Sequence, residues 1–327
     1  MAKTEEKKDI KSTIDRLNKE YGINTVIAGN QKACELDVVS TGSLLLDIAT
    51  GVGGFPYGRI VEIIGPESSG KTTLCGHIVA NAQKTGKKCA YLDMEHAVDM
   101  SYLKKLGVVA EDLIISQPDY GEQCLKVAEE LIKTGEVGVV IVDSVATLVP
   151  KTEVDAGVGD SKMAGLGRLM SQALRVLSPL VEKNNVLLIF TNQIRLQPGV
   201  MYGSPEKPAG GESLKFYASI RLDMRKTPDV ENQLNKTRIK IIKSKVAPPF
   251  GSCEVKIIWG KGFSWRAELL EAAVEFGIIQ KAGSWFSYKE QKIGQGMSSV
   301  EEMADNNPEW LQEVEKLTLE KIKAAQV

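Results

Sequence analysis

The densest chemistry in the sequence lies in one octapeptide, Gly65-Pro66-Glu67-Ser68-Ser69-Gly70-Lys71-Thr72, which fits G-x-x-x-x-G-K-[ST] in full. Glycines at the ends of such a loop let the backbone curl. Successive N–H groups, and the N-terminus of the helix that follows, then face one anion. Lys71 adds a cation for the outer phosphates, and the Thr72 hydroxyl suits Mg²⁺. The apolar strand Ile60–Ile64 leads in and a helix over Thr72–Lys84 leads out, the context this loop requires. These residues point to a bound nucleoside triphosphate. The second half of such a site is an aspartate ending a buried strand, and Val139-Val140-Ile141-Val142-Asp143-Ser144 supplies Asp143 as the partner of Thr72 toward the metal.

Breaking the phosphoanhydride of a nucleoside triphosphate with water needs a group that orients or deprotonates the attacking oxygen. Glu95, in Asp93-Met94-Glu95-His96 after the strand Cys89–Leu92, stands where ligands gather, at the carboxyl ends of strands. The alternative for Glu95 is a solvated loop carboxylate.

The elements that must position these groups follow from hydrophobic pattern. Strands are predicted at Ile60–Ile64, Cys89–Leu92, Leu113–Ile115, Val137–Val142, Val186–Thr191, Ser219–Asp223, Arg238–Lys243 and Glu254–Trp259. The runs at 137–142 and 186–191 are apolar almost throughout, as suits strands covered on both faces of a parallel sheet. Helices at Thr72–Lys84 and Glu122–Lys133 give a βαβ layout with right-handed crossovers. The later strands follow closely on one another, which predicts antiparallel additions at one side. The fold class is α/β: a P-loop core with a mostly parallel twisted sheet over 36–265, a small N-terminal helical arm over 1–35, and a small α+β domain over 266–327. In the arm, Ile10, Ile14, Leu17 and Tyr21 recur at helical spacing from Thr4 onward, with Gly22 ending the helix. It is either an ordinary surface helix or an arm that packs on a neighbouring subunit.

Composition narrows the classes. In 327 residues, 43% are apolar and 25% charged, and the net charge is −1, so bulk attraction to nucleic acid is excluded and any such binding must come from locally placed basic groups. No apolar run is long enough to span a membrane and the N-terminus carries no secretory pattern, which predicts a cytoplasmic protein. The five cysteines (Cys34, Cys75, Cys89, Cys124, Cys253) are scattered and only His77 and His96 accompany them, so neither a disulfide framework nor a zinc site is expected.

Beyond single motifs, the chain from about Val39 to Gly296 resembles the RecA recombinase family. The matching stretches are Ser40-Thr41-Gly42-Ser43, the run Gly65 to Leu74, Asp143-Ser144-Val145, Gly159-Asp160-Ser161 and Asn192-Gln193-Ile194-Arg195. They continue through Gly210-Gly211, Leu214 to Ser219, Lys243-Ser244-Lys245 and Lys292 to Gly296. The resemblance implies ATP and Mg²⁺, with Thr73 and Asp99 joining the octapeptide around the nucleotide. Tyr102 resembles the adenine-stacking residue, Glu95 the water-activating carboxylate and Gln193 the γ-phosphate sensor. It also implies two DNA-binding segments. The first, Asp155 to Met163, precedes a helix with Arg168, Ser171 and Arg175. The second, a long flexible loop from Ile194 to Leu214, carries Arg195, Met201, Tyr202, Lys207, Gly210 and Gly211.

Lys243 and Lys245 share one face of a strand. Lysines alternating on an edge strand serve to prevent aggregation, whereas the resemblance implies that they reach the ATP of the adjacent subunit. The implied partners are single-stranded DNA, homologous duplex DNA and further copies of the chain in a head-to-tail helical filament, with room for mediator or repressor proteins in DNA repair. Three departures stand out, the first being Pro198, Pro208 and Ala209 in the second loop, which bear on its DNA contacts. The chain ends at Ala324-Ala325-Gln326-Val327 without the long acidic tail of many bacterial members, so control of DNA access by a tail is not expected, and residues 1–35 match weakly. Three other readings share the phosphate loop: a ring-forming DNA helicase, a small-metabolite kinase and a nucleotide-gated scaffold.

Overall fold

The structure is a computed structural model that describes residues 9–21, 26, 36–156, 165–196, 206–227, 235–249 and 251–325. The chain divides into two compact units, 1–37 and 38–327. The first holds helix α1 (Ile10–Tyr21), exposed throughout most of its length. Gly22, expected to end it, lies outside the described residues, as do 1–8.

The second unit opens with the short pair β1 (Val38–Val39) and β2 (Phe55–Pro56), separated by α2 (Leu44–Thr50). Then come β3 (Ile60–Ile64), α3 (Lys71–Lys84), β4 (Lys88–Asp93), α4 (Met100–Lys105), β5 (Leu113–Ser116), α5 (Gly121–Lys133) and β6 (Val137–Asp143). After α6 (Lys151–Ala156) and α7 (Gly165–Lys183) follow β7 (Leu187–Asn192), β8 (Ile194–Leu196), β9 (Glu206–Pro208) and α8 (Ser213–Tyr217). The chain continues through β10 (Ile220–Thr227), β11 (Asn235–Ser244), β12 (Ser252–Ile258), β13 (Gly262–Phe263) and α9 (Trp265–Glu275). It closes with β14 (Gln280–Ala282), β15 (Trp285–Tyr288), β16 (Gln291–Gln295), α10 (Met297–Asn306) and α11 (Pro308–Ala325).

Nine strands form one sheet in the order β13-β12-β11-β10-β3-β7-β6-β4-β5. The run from β10 to β5 is parallel and the additions β11, β12 and β13 are antiparallel, as their close sequence spacing predicts. Alternation decides which face each residue serves. Val61, Ile63, Val139, Ile141, Leu187 and Ile189 face α3, whose Leu74, Ile78 and Val79 pack there. Ile60, Val140, Val142, Leu188 and Phe190 face the opposite way, against Leu125 and Ile132 of α5 and Leu174 and Leu177 of α7. At about 1.5–3 kcal/mol for each large side chain fully buried, these two layers dominate the favourable side of folding.

The predicted strands all form, most with ends moved by one or two residues; β10 runs four residues past Asp223, β11 begins three residues before Arg238, and β12 begins two residues early and stops before Trp259. Two expectations need correction. The second long loop is not structureless: β8 pairs with β9, Ile194 opposite Pro208 and Leu196 opposite Glu206. The strand that carries Lys243 is not an edge strand as a whole, since β11 is flanked by β10 and β12, although its ladder with β12 ends at Lys240 and Lys243 is paired on the β10 side alone.

Beyond α9, the three-stranded antiparallel sheet β14-β15-β16 and helices α10 and α11 enclose their own apolar cluster, with Leu270, Ile279, Phe286, Trp310 and Val314. A further cluster joins Leu44 and Leu45 of α2 to Leu269 and Ala272 of α9 and Ile322 of α11. Within this seam Glu268 is buried and accepts hydrogen bonds from Ser43 Oγ (2.8 Å) and the Leu45 N–H (3.3 Å). Burial raises its pKa from 4.5 to about 7. The folded chain therefore holds a proton there that the unfolded chain has released, so stability falls as pH rises from about 4.5 to 7, by about 3 kcal/mol in all. Asp47, raised from 3.8 to about 6 by burial, acts in the same direction over a lower window. Glu268→Gln, which mimics the protonated acid, is expected to melt higher than the parent at pH 8 and to show a flatter dependence of melting temperature on pH between 5 and 8.

Candidate functional site

The carboxyl ends of four adjacent strands converge. From β3 the chain turns into the phosphate loop, with the Gly65 N–H donating to Asn192 O at the end of β7 (3.2 Å). Gly70 closes the loop at φ +94°, a backbone conformation that favours glycine. Helix α3 then begins without a side-chain cap, which leaves its first N–H groups for an anion. The Lys71 amine donates to Gly65 O (3.0 Å) and Pro66 O (2.8 Å), and so curls over the loop. Burial lowers its pKa, opposed by the charges of Asp143 and Glu95. Glu67 and Ser68 are exposed on the loop, while Ser69 is buried and its Oγ has no partner among the described residues.

Thr72 and Asp143 meet as the sequence suggests: Thr72 Oγ1 donates to Asp143 Oδ2 over 3.4 Å. Asp143 also accepts from Tyr91 Oη on β4 and Thr191 Oγ1 on β7, and burial raises its pKa. A hydroxyl and a carboxylate side by side are hard oxygen donors of the kind Mg²⁺ takes, and a divalent cation would oppose the burial penalty on Asp143. The uncapped helix, the glycine cradle and this donor pair fit a nucleoside triphosphate with Mg²⁺.

Glu95 is drawn to the end of β7. Its Oε1 accepts from Gln193 Nε2 (2.8 Å) and from Ser144 Oγ (2.6 Å), the residue after Asp143. The carboxylate read as water-activating and the amide read as phosphate-sensing are thus in direct contact. Tyr102 is tied to the phosphate-loop helix by a 2.8 Å hydrogen bond between its hydroxyl and Thr73 Oγ1. Asp99 serves this arrangement as the N-cap of α4, accepting from the Ser101 N–H (2.7 Å) and the Tyr102 N–H (3.3 Å).

The second loop leaves β7 through Gln193 and returns against the same strand end. Asn192 is buried and grips the return arm twice: its Nδ2 donates to Ala209 O (2.9 Å) and its Oδ1 accepts from the Ala209 N–H (3.1 Å). Gly210 follows at φ +81°, where a Cβ would lie 2.6 Å from Val145 Cγ1. The start of the return arm is clamped by Arg225 of β10, whose guanidinium meets both oxygens of Glu206 at 2.9 and 2.6 Å. Arg195 is exposed beside Ala146 O. Arg168 and Arg175 are exposed on α7 and line a shallow cleft with Gly167, Ser171 and Gln172. Met163, Met201 and Tyr202 lie outside the described residues.

Lys243 and Lys245 are not brought to the phosphate loop. The ladder sets Lys243 opposite Arg221, which is opposite Glu62, and Lys245 lies beyond it, on the side of β3 away from the loop. Their amines donate to the last carbonyls of α8: Lys243 to Lys215 O and Phe216 O, Lys245 to Phe216 O.

Sequence reasoning passes over Glu62, Arg221, Asn192, Thr191, Tyr91 and Ser144, which together orient the site. The available signal is a polar residue interrupting an apolar strand, as in Ile60-Val61-Glu62-Ile63-Ile64.

Comparison with known proteins decides the lineage. Residues 8–264 match the RecA N-terminal domain and 267–323 the RecA C-terminal domain. The chain belongs to the RecA family. The match extends beyond the limits Val39 and Gly296 suggested by motifs, into the first 35 residues and across the last 60. Protein RecA of Rickettsia massiliae is 47% identical over 326 residues, which cover 98% of this RecA-family chain and 95% of that protein. Protein RecA of Cytophaga hutchinsonii is 48% identical over 329 residues, covering 99% and 93%. Among solved structures, the RadB recombinase superposes with a TM-score of 0.55 at 25% identity, over 69% of this chain and 98% of that one. These relatives identify a RecA-type recombinase, a family of nucleotide- and metal-using proteins. No helix among the described residues is long and apolar enough to cross a membrane.

Proposed function

We propose that this chain is a DNA-dependent ATPase that assembles head-to-tail on single-stranded DNA and catalyses homologous pairing and strand exchange. One observation carries the reading: the 2.8 Å hydrogen bond from Gln193 to Glu95 links the acid that would handle water to the first residues of the second DNA loop.

In this mechanism the Lys71 amine transfers from the carbonyls of Gly65 and Pro66 to the outer phosphates of ATP, while the loop amides and the start of α3 hold the remaining negative charge. Thr72 and Asp143 would hold Mg²⁺, which screens the phosphates when bound. Tyr102, oriented by Asp99 and Thr73, stacks on the base. Glu95 positions the attacking water and accepts its proton, with Ser144 keeping the carboxylate aimed. Gln193 exchanges its bond to Glu95 for one to the γ-phosphate, and its backbone passes that change into the loop. Lys243 and Lys245, directed away from their own phosphate loop, serve the ATP of the next subunit, so turnover requires assembly.

DNA is held by Arg168, Ser171, Arg175 and Arg195, by the amides of Gly210 and Gly211, and by Met163, Met201 and Tyr202 against the bases. Residues 1–35 act as the subunit-contact arm, 36–265 as the ATPase core and 266–327 as a small accessory domain of a cytoplasmic protein.

The experiment that tests the reading is strand transfer between a circular single strand and a linear duplex. Joint molecules are expected with ATP and a homologous duplex only. Their absence with ATP and a homologous duplex removes the proposal, and unwinding that ignores homology favours a helicase.

A further inference from the structure

We infer that Glu62 is a positioning residue that couples the nucleotide-sensing end of β7 and the return arm of the second loop to the strand pair carrying Lys243. The inference rests on the function proposed above and names the connection that function needs within one subunit.

Glu62 sits in the middle of β3, fully buried, with strands on both sides. Its two oxygens face different halves of the site. Oε1 accepts from Asn192 Nδ2 at 2.9 Å, and that same amide holds Ala209 of the return arm. Oε2 accepts from Arg221 Nε at 2.6 Å in an ion pair whose side chains are 10% and 1% exposed. Arg221 is in turn the ladder partner of Lys243. A carboxylate so far from water is costly unless both oxygens are satisfied, so a shift of the return arm at Ala209 and a shift of Arg221 cannot be independent. One carboxylate therefore joins Gln193's neighbour to the neighbour of the lysine pair.

The electrostatics give this coupling a readable sign. Lys243 is brought to about 8, first by burial, then by the charges of Lys245 and Arg221, with Glu62 opposing. From α8 the nearest further cation is Lys215, already paired with Glu212 at 3.2 Å. Neutralising Glu62 leaves Arg221 uncompensated beside Lys243, whereas neutralising Arg221 leaves Glu62 uncompensated. The two changes push Lys243 in opposite directions. A role confined to holding the fold would leave the stimulation by DNA at its wild-type level in both.

The test compares full-length wild type, Glu62→Gln and Arg221→Gln. It measures melting temperature, affinity for a fluorescent ATP analogue, and ATP turnover with and without poly(dT) from pH 6.5 to 9. Wild type is expected to be stimulated by poly(dT) and to lose turnover on an alkaline limb near the pH at which Lys243 discharges. In both variants stimulation is expected to fall about tenfold, with analogue affinity and DNA-free turnover retained. The alkaline limb moves to lower pH in Glu62→Gln and to higher pH in Arg221→Gln. Should Glu62→Gln not fold, Arg221→Gln and its upward shift carry the test. A folded variant with full stimulation and an unmoved limb, or limbs that shift the same way, overturns the role of Glu62 and leaves the proposed function standing. A wild type indifferent to poly(dT) overturns that function, and this inference with it.

Discussion

Glu95→Gln is expected to lower DNA-stimulated ATP turnover by about 10²–10⁴-fold, the range that a positioned general base supplies. Glutamine keeps an oxygen for the bonds from Gln193 Nε2 and Ser144 Oγ, so the strand ends stay joined, and what is lost is the capacity to take a proton from water. Nucleotide affinity is expected to be unchanged, because Lys71, Thr72 and Tyr102 are untouched and the hydrogen bonds of Glu95 run to Gln193 and Ser144. Binding to single-stranded DNA with ATP is expected to persist longer, since nothing discharges the γ-phosphate. Measuring turnover and the lifetime of the DNA complex on one preparation checks both halves. A variant that loses nucleotide binding would show that Glu95 only shapes the pocket.

The second large effect belongs to the lysine pair. Lys243→Ala with Lys245→Ala is expected to cut turnover by about 10³-fold or more, as the loss of a charge-stabilising group supplied in trans does. ATP binding by the isolated subunit should survive, because both amines are bonded to the end of α8 and none to the phosphate loop. The location makes a sharper prediction. Mixing this double variant with Glu95→Gln creates interfaces in which an intact Glu95 faces intact lysines. In a random one-to-one head-to-tail assembly about a quarter of the interfaces are of this kind. The mixture is therefore expected to regain about a quarter of wild-type turnover, although each parent is inactive. If both functions worked within one subunit, the mixture would stay inactive.

Comparing sequence with structure shows where local signals suffice. The phosphate loop is legible because phosphate wrapping constrains consecutive residues, and the strands around it because burial on both faces keeps them mostly apolar over five or six positions. Glu95 and Asp143 follow as carboxylates at strand ends. Gln193, Tyr102 and the lysine pair are not legible as functional from residue type, since an amide, a tyrosine and two surface lysines each have commoner uses. Only the ordered resemblance to the RecA family singles them out.

The second loop shows the opposite failure. Glycine, proline and polar residues over 194–214 suggest no regular structure. Yet Arg225, distant in sequence, clamps Glu206, and Asn192 secures Ala209, which lets a short ladder form between Ile194–Leu196 and Glu206–Pro208. Glu62 and Arg221 escape for a related reason. Glu62 is the one polar residue inside an apolar strand, Arg221 lies on a strand with several charges, and the meaning of each lies in a partner about 160 residues away.

ATP turnover of the wild-type chain as single-stranded DNA is titrated in is the most direct test. Strong stimulation that saturates with DNA length, and needs enough protein for subunits to meet, is the expected result. It would tie the phosphate loop, the Gln193 connection and the trans lysines to one cycle. Turnover at the same rate with and without DNA would contradict the central claim and favour a metabolite kinase or a nucleotide-gated scaffold built on the same core.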